Sequence, residues 1–181
     1  MNTIDTRYLI CYTMGTAPRV GVSLSGAFNY YASRVKLPQG YKPNKRILET
    51  ADKIKAESRV WLASVVSQGI ALVKAGNLKI KQSRPCYNCR KTQEVLQEKG
   101  VDVRLATDLL EDIYEKRGKK VGLFSSDTDL CPVLHKAADK GIKVIYICFS
   151  NSVNRAVSAV ANETVTISIE KLRRYFKKEE K

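Results

Sequence analysis

The sequence predicts an α/β fold built on a mainly parallel sheet, and three observations predict it. Helical and strand-like patterns alternate from about residue 100 onward. Glycines stand where the helical patterns stop, at Gly69, Gly118 and Gly141. Between the helices lie short runs dense in Val, Ile, Leu and Tyr, the composition of parallel strands buried on both faces.

Taken in order, Ala27 to Val35 reads as a strand, and Ile47, Ala51, Ile54, Trp61 and Val65 mark one apolar stripe of a long helix that Gly69 ends. Ile70 to Val73 and Leu78 to Ile80 read as a strand and a separate extended segment, parted by Ala75-Gly76-Asn77. Residues 83–93 form an irregular loop holding Cys-Tyr-Asn-Cys. Val101, Leu105, Leu109 and Ile113 recur every four residues, so a helix begins near residue 101 and closes at Gly118. Val121 to Phe124 is a strand, Asp129 to Lys140 a helix closed by Gly141, and Lys143 to Phe149 a buried strand. Asn154 to Val160, Thr164 to Ile167 and Glu170 to Phe176 follow as helix, strand and basic terminal helix. The expected order is β-α-β-α throughout, interrupted only by the loop, within one domain over residues 1–176 and a charged tail over 177–181.

At 181 residues with 44% apolar side chains, the chain is long enough to fill one core. Its formal charge of +14 favours a polyanionic partner through counterion release, RNA or DNA before an anionic membrane. No apolar run approaches the length of a bilayer span, and the first residues lack the basic and hydrophobic regions of a signal peptide. The expectation is a soluble, cytoplasmic protein without a membrane partner. Five scattered cysteines argue against a disulfide scaffold.

Chemistry-bearing residues gather at two places. Asp127 and Asp129 leave the end of the strand Val121 to Phe124, where the reacting groups of open parallel sheets collect. Clustered carboxylates repel one another unless a cation lies among them, and an all-oxygen set suits Mg²⁺ or Mn²⁺. The plainer account is that Ser126, Asp127 and Thr128 cap the following helix. Asp102 and Asp108 form a second acidic pair, about 120° apart around one helix, so the two do not face a single ion squarely. Asp102 is also an ordinary acid for a helix N-terminus.

From Lys74 to Lys99, seven basic side chains stand against Glu94 and Glu98. Lys79, Lys81, Arg84, Arg90, Lys91 and Lys99 are candidate phosphate ligands, with Tyr87 among them to stack on an unpaired base. Arg104, Ser125 and Ser126, close in sequence to the acids, complete the candidate nucleic-acid set. Cys86 and Cys89 supply half of a tetrahedral Zn²⁺ site; a shared zinc, a redox pair and idle thiols all stay open, as does homo-oligomerisation. His135 is the only histidine and falls inside a helical pattern, which excludes a two-histidine ribonuclease mechanism.

Lys99-Gly100-Val101-Asp102-Val103 with Ala106-Thr107-Asp108-Leu109, then Ser126-Asp127-Thr128-Asp129 and Gly141-Ile142-Lys143-Val144, closely resembles the NYN domain family of PIN-like nucleases. Phe28 to Ser33 resembles that family's second strand. The resemblance implies a three-layer, doubly wound α/β fold and an acidic, Mg²⁺- or Mn²⁺-dependent site that cuts RNA, and Tyr87 among the basic residues points to single-stranded RNA. It carries the first acid onto Asp5, in Ile4-Asp5-Thr6-Arg7-Tyr8, although Tyr8 stands where the family has Asn and the preceding strand is short. Asp5, Asp102, Asp108, Asp127 and Asp129 are therefore the expected catalytic and metal-binding set. Two other readings stand beside it. One is an NYN-like RNA-binding or regulatory domain with impaired catalysis; the other is a haloacid-dehalogenase-like phosphatase using Asp127-Thr128-Asp129.

Overall fold

A computed structural model describes residues 28–36, 42–67 and 69–168. These residues fall into two compact units that divide near residue 105.

The first unit carries β1 (Asn29–Val35), α1 (Lys45–Ser67), β2 (Ala71–Gln82) and β3 (Glu94–Lys99). Asn44 starts α1 by accepting the Ile47 N–H on its side-chain oxygen at 3.0 Å. The helix buries Ile47, Ala51 and Val65 of its apolar stripe and stops before Gly69, whose φ of 74° is left-handed. β1 pairs in parallel with β2, and β2 pairs antiparallel with β3.

That antiparallel hairpin departs from the expected β-α-β-α order. Residues 71–82 form one strand rather than two segments, because the break at Ala75-Gly76-Asn77 is absorbed as a bulge. Ala32 pairs with Lys74 and Ser33 with Gly76, which leaves Ala75 as the extra residue. Gly76 is required there: a Cβ would collide with Glu98 Oε1 and lie 2.9 Å from the Lys99 carbonyl. Glu98 passes over this glycine to accept the Val101 N–H at 3.1 Å and so caps the next helix.

That helix, α2 (Val101–Tyr114), leads into the second unit. It ends before Gly118, since Lys116 takes the left-handed conformation at φ 55°. The Arg117 guanidinium folds back on Asp112, Glu111 and Glu115. The second unit continues with β4 (Lys120–Leu123), a short 3-10 turn (Thr128–Leu130), α3 (Cys131–Asp139), β5 (Lys143–Phe149), α4 (Arg155–Val160) and β6 (Glu163–Ile167). The three strands are parallel, in the order β4-β5-β6.

Val144 to Cys148 of β5 are buried without a break, as a central parallel strand covered on both faces demands. Gly141 reverses the chain after α3 at φ 75°, as its position predicts. Lys143 reaches across to Glu163 at 2.8 Å, and that hydrogen bond holds the Glu163 carboxyl below the usual range. Three of the four strand pairings are parallel, so the α/β class with a mainly parallel sheet stands. The expected terminal helix, residues 170–176, lies outside the described residues.

Candidate nucleic-acid interface and acidic loop

The acidic loop begins where β4 ends at Leu123. Ser125 Oγ accepts the Asp127 N–H at 3.3 Å, and Asp127 Oδ1 accepts the Asp129 N–H at 2.9 Å, closing the turn that starts the 3-10 segment. The capping role expected of Asp127 is thus real, but it uses one oxygen. Asp127 is half-buried and Asp129 exposed. Both acids leave the same turn at the carboxyl end of a parallel strand, where backbone geometry opens a crevice for ligands.

What fixes this turn is a network that residue patterns did not disclose. Tyr146, fully buried in β5, puts its hydroxyl 2.8 Å from Ser126 Oγ and accepts the Asn154 N–H at 3.2 Å. Asn154 Nδ2 donates to the Ser126 carbonyl at 2.9 Å, while Asn154 Oδ1 caps α4 through the Ala156 and Val157 N–H groups. One asparagine therefore ties the loop after β4 to the start of α4. The signal was present in the sequence: a tyrosine within an otherwise aliphatic strand needs a partner for its hydroxyl once buried. Beside this network Phe124, half exposed, meets Phe149 edge-to-face with centroids 5.4 Å apart.

Of the other acids, Asp108 is half-buried on α2 in the second unit. Asp102 belongs to the first unit, where it lines a hollow of about 320 Å³ together with Glu98, Trp61 and Tyr30 to Ser33. Four consecutive residues of β1 line that hollow although side chains alternate across a strand, so it follows the strand's edge rather than one face. Asp5 lies outside the described residues. Among the described residues, no three His, Cys, Asp or Glu side chains are grouped so as to hold a metal ion. Mg²⁺ nonetheless needs only one or two carboxylates, with water and substrate phosphate completing its shell. The donors of the β4 loop, two carboxylates and three hydroxyls, are all hard oxygens and fit such an ion.

The basic residues sort by strand register. Asn77, Lys79 and Lys81 alternate onto one face of β2, opposite Lys99, Gln97 and Val95 of β3, while Leu78 and Ile80 point the other way with Leu96. The bulge at Ala75 brings Lys74 onto the same side as Lys79, because Ala32 and Arg34 of β1 flank Lys74 and Asn77 in register. Arg34, Lys74, Lys79, Lys81 and Lys99 thus share one exposed face of the sheet. Lys74 belongs to the basic stretch already counted, whereas Arg34 lies outside it on β1, and only the register of β1 against β2 brings it alongside. Arg84, Tyr87, Arg90 and Lys91 are exposed at the hairpin end, and Arg104 is exposed in the first turns of α2. Ser125 and Ser126 hydrogen-bond within the acidic loop, as described above.

At the hairpin end, Ser83 and Gln93 close the strands and Cys86 exchanges backbone hydrogen bonds with Lys91 and Arg90, each at 2.9 Å. The Cys86 sulfur accepts from the backbone N–H of Cys89 and then of Asn88, and from the Cys89 thiol, which together lower its pKa. His135 is an exposed residue of α3.

The sequence profile of the NYN domain matches residues 27–170, a stretch that runs through both units. The chain belongs to the NYN domain family. NYN membership brings with it the PIN-like α/β class and a nuclease-like, RNA-related role. The match starts after Asp5, so the first-acid assignment lies outside the matched residues as well. Comparisons with curated proteins and with solved structures gave no match. No helix among the described residues is long and apolar enough to cross a membrane.

Proposed function

We propose that this NYN chain hydrolyses single-stranded RNA at the carboxyl end of β4, with Asp127 and Asp129 as the residues that would hold Mg²⁺ or Mn²⁺. The observation that carries this reading is the acidic turn itself, set at a parallel strand's carboxyl end and braced by Tyr146 and Asn154. When bound, such an ion supplies positive charge to the phosphate oxygens and lowers the pKa of an attacking water. The protein's part is to hold two negative charges in a fixed turn, so that little reorganisation is needed when phosphate charge develops.

Arg34, Lys74, Lys79, Lys81 and Lys99 give the backbone of an RNA strand a row of cations, while Tyr87 and Phe124 offer exposed rings to unstacked bases. Asp5, Asp102 and Asp108 remain candidate acids. The competing reading is a domain that binds RNA without cutting it. It draws on the short strand before Asp5 and on Tyr8, which stands where the family has Asn.

One variant separates the two. Asp127→Asn keeps an oxygen to accept the Asp129 N–H, and so keeps the turn, but removes the charge. Incubation of labelled single-stranded RNA with Mg²⁺ or Mn²⁺ should give cleavage by the wild type and a loss on the order of 100-fold or more in Asp127→Asn. RNA retention should be unchanged in a filter-binding assay. Retention by the wild type with no cleavage under either ion would overturn hydrolysis and leave the binding domain.

A further inference from the structure

The Cys86/Cys89 pair takes no part in the acidic loop or in the cationic face. Both thiols are free and exposed, at the end of the β2–β3 hairpin. The loop that carries them is ordered by its own backbone: Ser83 with Gln93, Cys86 with Lys91, Arg90 with Cys86, and Arg90 itself at φ 56°. This turn carries both sulfurs at an exposed tip, three residues apart. Tetrahedral zinc with Zn–S near 2.3 Å places two sulfur ligands about 3.8 Å apart, and C-x-x-C is the spacing by which one turn commonly supplies two of them.

A closed structural zinc site needs four ligands, and the turn supplies two. No third His, Cys, Asp or Glu joins them among the described residues. A two-fold axis through the metal doubles a pair into four, and such isologous pairing is the commonest way in which identical chains associate. We infer that the hairpin ends of two copies of this chain bind one Zn²⁺ between them, through Cys86 and Cys89 of each copy.

The balance of the site supports this. Four thiols release four protons on binding, and four thiolates around one Zn²⁺ leave a charge of −2. Arg84, Arg90 and Lys91, exposed on the same loop of each copy, surround that charge with cations of the opposite sign. The inference does not depend on RNA cleavage, since it uses neither the acidic loop nor the lysine face.

The test uses the full chain, purified reduced and metal-free, titrated with ZnCl₂ and followed by sedimentation and by colorimetric zinc assay. The expected result is one zinc per two chains, with conversion from monomer to dimer that EDTA reverses. Cys86→Ser and Cys89→Ser should each keep the far-UV circular dichroism of the wild type, stay monomeric and lose zinc. Cys11→Ser should still dimerise around one zinc. One zinc per monomer, a dimer that survives EDTA or either serine variant, loss of zinc in Cys11→Ser, or no zinc uptake by the reduced protein would each overturn the proposal. The last outcome with a Cys86–Cys89 disulfide on mild oxidation would assign the pair to redox chemistry instead.

Discussion

The two units are built to different densities. Among the described residues, the second unit buries fourteen apolar side chains, including the whole run Val144 to Cys148, whereas the first buries four, Ile47, Ala51, Val65 and Ile70. The second unit is a parallel sheet flanked by short helices. The first sends out a hairpin whose one face carries only half-buried Leu78, Ile80 and Leu96. The Asp127–Asp129 turn stands on the dense unit, and the cationic face with the thiols on the open one. Chemistry at a phosphate needs charges held to a fraction of an ångström, which a close-packed base provides. Gripping a flexible polyanion needs reach and many weak attractions, which an exposed sheet face provides.

This contrast can be broken at its strongest point by Asp127→Asn, whose expected loss of cleavage far exceeds any effect on binding. Packing is the next. Leu134→Ala removes a fully buried side chain from α3 and should cost about 2–5 kcal/mol in urea unfolding, while Ile80→Ala on the hairpin should cost about 1 kcal/mol. Equal costs would erase the distinction between the units.

Tyr146→Phe sharpens the comparison within the dense unit. It deletes one hydroxyl, leaves the Asn154 N–H and Ser126 short of a partner, and should cost about 1–2 kcal/mol. If Tyr146 positions the acidic turn, kcat for cleavage falls about 10-fold or more with KM unchanged; a fall in stability alone would make it only a core residue. The smallest effect belongs to the open unit. Lys79→Ala with Lys81→Ala should weaken RNA retention without altering the fold. It should also reduce the slope of log K against log salt by about 1.4, near 0.7 for each phosphate no longer neutralised. An unchanged slope would remove these lysines from the interface.

How much of this was legible in the residues depended on the range of the interaction involved. Elements governed by local rules were clear: Gly69 and Gly141 end helices where glycine supplies a left-handed φ, and β5 runs from Lys143 to Phe149 as its composition requires. Strand β3 was hidden, since Glu94 to Lys99 is polar over most of its length and pairs with β2 from a distance. Gly118 misled because Lys116 took the left-handed position first. At the site, the acids were visible because a pair of aspartates after a short strand is a local pattern. The Tyr146–Ser126–Asn154 brace was not, because it joins residues up to 28 apart through their side chains. The family's motifs lay within the stretch that the NYN profile matches, whereas the proposed first acid, Asp5, falls outside it.

The bulge at Ala75 has a consequence for how this chain tolerates change, because it gives the ribbon one spare codon. Excising Ala75 leaves Lys74 and Asn77 two places apart, so plain alternation would still turn the lysines to water and Leu78 and Ile80 away from it. Excising Leu78 would turn Lys79 and Lys81 inward only while the bulge persists; flattening it at Ala75 returns them to water and makes Gly76 and Asn77 change faces instead. Two deletions of equal size, three positions apart in the gene, would thus draw on the same spare residue.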